Sequence, residues 1–240
     1  MEGKVLQVSG SAGSKLNLLE ARLRDFVEAG QVPCAVYCVK KNGLTVAEGG
    51  WGYRQLVPER HPVTLNTWFD LASLTKVFFA SAVMKLVDAG EISLSEPMYR
   101  LIPEWQDSAK RLITPWHLLT HTSGYPGQVR LFESSSTCEQ LVQAALNLPL
   151  RSQVGACVEY SSQGFMVLEE WLQRKGLDWQ RTLFEDVLAP LNIEEVQFGP
   201  LDRGLEVAAT EYCRWRERVV VGEVHDEKAG GLGGRGAHAG

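Results

Sequence analysis

Ser73-Leu74-Thr75-Lys76 places a hydroxyl and an amine three positions apart. Positions i and i+3 share one face of a helix, so a helix starting at Ser73 sets the two groups side by side. The chemistry open to such a pair is nucleophilic. A serine hydroxyl attacks a carbonyl once a base takes its proton. A lysine can be that base where burial or a neighbouring positive charge brings its pKa from about 10.4 towards ~7–8. The helix N-terminus adds backbone N–H groups for a developing oxyanion. The same serine has a plainer use as the N-cap of the following helix, and Ser-x-x-Lys alone is a weak signal.

A second chemistry deserves comparison. His117 and His121 have i, i+4 spacing, and His225-Asp226-Glu227 adds further metal-ligand types. The His-Glu-x-x-His arrangement of zinc hydrolases is not present, because Leu118 follows His117. The structural reading puts His117 in solvent and makes His121 a loop anchor. No metal or organic cofactor is expected.

Stepping outward, the chain opens with apolar residues at helical spacing from Leu16 to Ala29, stopped by Gly30. A strand from Cys34 to Val39, an Asn42-Gly43 turn and a returning strand Leu44–Ala47 make a hairpin. Gly49-Gly50-Trp51-Gly52-Tyr53 leads out of it. Helices are expected over Leu74–Ala89, Trp116–Leu119, Glu139–Leu146, Gln163–Lys175 and Trp179–Leu188, the last capped by Asp178. The final eleven residues are glycine-rich and read as a loop.

Between Ser73 and the chain's middle runs an ordered set of segments. Phe69-Asp70-Leu71-Ala72-Ser73-Leu74-Thr75-Lys76 precedes a helix, then Asp88-Ala89-Gly90-Glu91-Ile92-Ser93-Leu94. Ile113-Thr114-Pro115-Trp116-His117-Leu118-Leu119-Thr120-His121-Thr122-Ser123-Gly124-Tyr125 follows. This order resembles the β-lactamase-related serine hydrolases: class C β-lactamases, penicillin-binding D-alanyl-D-alanine carboxypeptidases and related esterases. Tyr160-Ser161-Ser162 stands where that family carries Tyr-x-Asn. The resemblance implies catalytic roles for Ser73 as nucleophile and for Lys76 and Tyr160 as proton-handling partners. It gives Ser162 the substrate-binding corner, where a hydroxyl replaces the amide. Without the motif order, Tyr160 reads as an ordinary core tyrosine.

The implied fold is α/β of the α+β type, β-lactamase/transpeptidase-like. It has an antiparallel sheet flanked by helices plus a helical subdomain, with the site between them. Segments 208–212, 215–216, 222–227 and 233–240 resemble the loop region of the esterase-like members, which precedes the family's Lys/His-x-Gly strand. His238-Ala239-Gly240 matches His-x-Gly literally but sits in a glycine loop without a β-branched run. The expectation is a flexible segment 1–14 and an incomplete β-lactamase-related domain 15–240, with the family's C-terminal strands missing. Loss of one oxyanion donor commonly costs ~10²–10³ in rate.

The implied function is hydrolysis of an ester, an amide or a β-lactam through a Ser73 acyl-enzyme. The alternative is a non-catalytic, acyl-binding sensor with little turnover. The chain has 240 residues, 45% hydrophobic and 22% charged, enough for a substantial core without staples. Its formal net charge of −5 offers no basic field for nucleic acid or anionic membrane. A small-molecule substrate is the expected partner, with a complementing chain or homo-oligomer open. The five cysteines are odd in number and irregularly spaced, and read as reduced, buried thiols. The first fourteen residues lack the apolar core of a signal peptide, which places the chain in the cytoplasm.

Overall fold

A computed structural model describes residues 11–135, 137–202, 204–234 and 236–239. The chain forms two compact units, Met1–Asp70 with Asp202–Gly222, and Leu71–Leu201 with Glu223–Gly240.

The first unit begins with α1 (Ser11–Glu28), which starts inside the segment read as flexible; residues 1–10 lie outside the described residues. Strands β1 (Cys34–Lys41) and β2 (Leu44–Gln55) pair antiparallel, and β3 (His61–Pro62) adds to the far edge of β2. Asn42 and Gly43 both take positive φ, 52° and 78°, as a tight hairpin turn requires. β2 runs eight residues beyond the Ala47 end expected from sequence. Its glycines are part of the strand: at Gly52 (φ +87°) a Cβ would meet the Pro33 carbonyl oxygen at 2.2 Å. Tyr37 and Trp51 stack across the hairpin, 5.5 Å between centroids. The Tyr37 hydroxyl donates to Glu20 of α1.

A second hairpin, β4 (Ala209–Cys213) and β5 (Arg218–Val221), occupies a stretch read as loop. The run Arg218-Val219-Val220-Val221 supplies the β-branched residues that a strand favours. Trp68 joins Val207 in a parallel bridge, and Thr64 Oγ1 donates to Glu206 Oε2 at 2.6 Å.

The second unit is helical. Helices α2 (Thr75–Asp88), α3 (Pro115–Leu119), α4 (Cys138–Asn147), α5 (Ser162–Arg174) and α6 (Trp179–Thr182) supply the main apolar core, while Ala229 of α7 (Glu227–Gly231) forms a small second cluster with Val224 and Ala239. Phe79, Trp105, Tyr125, Leu168 and Trp171 are among the largest fully buried members of the main core. The carbonyl of Leu146, near the end of α4, accepts from Trp105 Nε1, Tyr125 Oη and Lys110 Nζ, so a helix-end acceptor is satisfied inside the core. Burial lowers the Lys110 amine to about 8. Asp178 caps α6 as expected, accepting from Gln180 N and Arg181 N, but from Leu183 to Leu188 the helix widens into a π turn.

The thiols correct the sequence reading. All five are free, yet Cys38, Cys138 and Cys157 are exposed, Cys34 is half-buried and only Cys213 is buried. No helix among the described residues is long and apolar enough to cross a membrane.

Candidate active site

Ser73 lies in a short 3-10 turn, Ala72–Leu74, that runs directly into α2. The turn makes Ser73 part of the helix entry rather than its cap; the capping position of α2 is Leu74. Ala72 holds φ +44°, a conformation that costs an L-residue about 1–2 kcal/mol. Backbone strain of this kind clusters at functional sites. Here it stands one residue before the exposed Ser73 hydroxyl.

Lys76 follows one turn later and is 6% exposed. Its Nζ lies 3.2 Å from Ser73 Oγ and 2.7 Å from the main-chain oxygen of His238. The ammonium also faces the rings of Tyr160 at 4.9 Å and Phe165 at 5.6 Å from their centroids. A buried amine whose polar partners are a hydroxyl and a carbonyl is arranged for proton exchange with that hydroxyl.

Tyr160 is 45% exposed and stands immediately before Ser161, the N-cap of α5. Ser161 Oγ accepts from Gly164 N and donates to the Pro126 carbonyl at 2.8 Å. Its backbone N–H donates to His121 Nδ1 at 3.1 Å. The His121 ring packs against Tyr160 at 4.5 Å and Phe165 at 5.2 Å. Burial and the nearby Lys76 charge lower the His121 pKa, consistent with a neutral ring accepting at Nδ1. His121 therefore anchors the loop that presents Tyr160. His117 differs from expectation: it is half-buried, and its Nδ1 accepts from Thr114 N at 3.2 Å, closing the first turn of α3. Gly124 of the same loop takes φ +80°, and a Cβ there would lie 2.3 Å from Ser152 O. Only glycine lets these backbones meet.

Ser73, Lys76 and Tyr160 thus come together. Ser162 is the first residue of α5 and 5% exposed; among the described residues no hydrogen bond joins its hydroxyl to the other three.

Sequence reading set His238-Ala239-Gly240 aside as a glycine loop; the structure brings the main chain of that segment to Lys76. Gly236 and Ala239 form an antiparallel bridge, and His238 sits in the turn between them, fully buried. The segment is a loop, as its glycines suggest, yet it delivers a carbonyl to Lys76. His238 Nε2 is 3.0 Å from Asp226 Oδ1. Its Nδ1 is buried without a hydrogen-bond partner among the described residues. Burial lowers the His238 pKa, and Lys228 and Lys76 add to this against the pull of Asp226. Nε2–H donates to the Asp226 carboxylate. For Asp226, burial works upward, but the His238 hydrogen bond, His238 and Lys228 charge and the Ala229 N–H outweigh it and hold the carboxyl below its usual range. Sequence did flag Asp226 as a polar cluster member; a main-chain carbonyl leaves no residue-type signal at all.

The β-lactamase family model matches residues 19–239. The chain belongs to the β-lactamase family. Proteins of Salmonella agona (strain SL483) and Salmonella typhimurium (strain LT2), both provisionally named D-alanyl-D-alanine carboxypeptidases, are 27% identical to it. Each match covers 96% of this chain and 62% of the relative, so the chain spans about six-tenths of these relatives' length. The octameric penicillin-binding protein homologue of Pyrococcus abyssi superposes with a TM-score of 0.73 at 23% identity, covering 94% of this chain and 52% of that one. EstCE1, a hydrolase with promiscuous acyltransferase activity, gives 0.68 at 17% identity, covering 86% and 63%. A class C β-lactamase from Rhodobacter sphaeroides gives 0.61 at 21%, covering 73% and 49%. These likenesses show that the fold is β-lactamase/transpeptidase-like, represented over about half of the matched structures.

Proposed function

We propose that this β-lactamase family member is a serine acyl hydrolase acting on an ester or amide carbonyl through Ser73. The observation that carries the reading is the exposed Ser73 hydroxyl held 3.2 Å from the buried Lys76 amine. With Lys76 as the neutral amine, attack of Ser73 Oγ on the carbonyl carbon forms the tetrahedral adduct as the hydroxyl proton passes to Nζ. The Ser73 N–H at the helix entry donates to the oxyanion. Lys76 and Tyr160 return the proton to the leaving group, whose bond to the carbonyl carbon breaks. Water then attacks the acyl-enzyme, and its second proton re-forms the Ser73 hydroxyl. Ser162 contacts substrate in this scheme. No metal or organic cofactor takes part.

The names of the relatives support a small ester, a β-lactam or a peptide ending in D-alanine as substrate. The test is hydrolysis of p-nitrophenyl acetate, nitrocefin and a D-alanyl-D-alanine peptide by the chain and by Ser73→Ala. Turnover of at least one that falls to the buffer rate in the variant is expected. Equal rates in both proteins would refute Ser73 as the nucleophile. A stoichiometric burst without turnover would give the acyl-binding reading instead.

A further inference from the structure

Lys76 makes two hydrogen bonds, and the shorter one is not to the nucleophile. It is to the main-chain carbonyl of His238, at 2.7 Å against 3.2 Å for Ser73 Oγ. The amine's place beside the hydroxyl therefore depends on where that carbonyl points. A carbonyl's direction is set by whatever holds its segment.

Besides the bond to Lys76, three hydrogen bonds among the described residues hold residues 236–239. Ala239 N donates to Gly236 O at 3.3 Å within the bridge. Ala237 N donates to Glu169 Oε2 of α5 at 2.9 Å. The His238 ring reaches back to Asp226 Oδ1 at 3.0 Å. Asp226 is itself fixed: the same oxygen accepts from Lys228 N and Ala229 N, both at 3.0 Å, as the cap of α7, and Oδ2 lies 3.7 Å from Lys228 Nζ. The ring is fully buried, and among the described residues its Nδ1 has no partner and Asp226 is the side chain's one hydrogen-bonding tie. A buried nitrogen left unsatisfied commonly costs ~1–3 kcal/mol. An apolar residue would fill the space without that cost, but it could not be tied to Asp226.

We propose that Asp226 and His238 are positioning residues for the reaction centre. Asp226 holds the His238 ring, the ring holds its own main chain, and that carbonyl keeps the Lys76 amine against Ser73. The kinetic consequence rests on the function proposed above; the hydrogen bond itself does not.

The test uses the full chain labelled with 1-¹³C-histidine, whose five histidines give five carbonyl resonances. The signal displaced by Lys76→Met is that of His238. Asp226→Ser retains a helix cap but is too short to reach the imidazole. Asp226→Asn retains both the cap and an acceptor. In Asp226→Ser the His238 signal moves to its Lys76→Met position, and fluorophosphonate labelling of Ser73 slows roughly 10- to 100-fold. Asp226→Asn restores both. Should Asp226→Ser fail to fold, Asp226→Glu, with the carboxylate one methylene further out, displaces the same signal and slows the same labelling. A His238 carbonyl signal unmoved in a folded Ser or Glu variant overturns the proposal. A wild-type chain that never labels overturns the function instead, and the carbonyl comparison still decides the positioning role.

Discussion

Glu169 shows how a single residue can carry a pH signature. Its carboxyl accepts from Trp179 Nε1 and Ala237 N, yet burial raises its pKa to about 7 against those two bonds. The folded state holds this proton more tightly than the unfolded chain. Its stabilising contribution is thus complete below about pH 4.5 and is lost as pH rises through about 7, on the order of 3 kcal/mol in all. His121 and His238, with lowered pKa values, run the other way: their contribution is present above pH 6.5 and lost as pH falls. The difference between wild type and Glu169→Gln isolates the carboxyl. In urea unfolding, wild type should lose about 1–3 kcal/mol relative to the variant between pH 5 and pH 8. A constant difference would contradict the assignment. At this scale the sequence was readable wherever chemistry lives in a side-chain type. The Ser73–Lys76 spacing is weak by itself, and Ser73, Lys76 and Tyr160 stand out only by the motif order that resembles the family's. Glu169 looks like any acid on a helix, and its burial comes from tertiary packing that no local pattern displays.

At the scale of elements, the helix entries do the placing. Ser161 caps α5, binds the Pro126 carbonyl and offers its N–H to His121. It therefore ties the start of α5, next to Tyr160, to the 121–126 loop. Ser161→Ala should cost about 1–2 kcal/mol in thermal or urea unfolding, the usual loss of a side-chain cap. Ser161→Asn, another good cap, should recover part of it. An alanine variant as stable as wild type would show that the cap does not hold this corner. Periodicity and capping residues made α1, α2, α4 and α5 legible to within a few residues. The second hairpin was missed because charged residues crowd its turn, Arg214 to Glu217, and hide the β-branched run that follows. The length of β2 was missed because glycine weakens a strand in general. Here it is required by close backbone approach.

At the scale of the whole molecule, the β-lactamase family assignment rests on residues 19–239, while the matched carboxypeptidase-named relatives are longer, with 62% of their length covered. In the first unit β1 is an edge strand among the described residues, and Leu18, Phe26 and Leu44 are exposed at 60%, 47% and 72%. Edges and apolar surface of this kind invite pairing with further chain. The second unit is different: its core is closed around α5, and Ser73, Lys76, Tyr160, Asp226 and His238 all belong to it. The central claim is accordingly about that unit's own chemistry. The most direct measurement is the intact mass and peptide map of the chain after exposure to a fluorophosphonate or a penicillin. One adduct is expected, on the peptide carrying Ser73, lost in Ser73→Ala and strongly slowed in Lys76→Met. An unmodified wild-type chain, or an adduct on another residue, would contradict it.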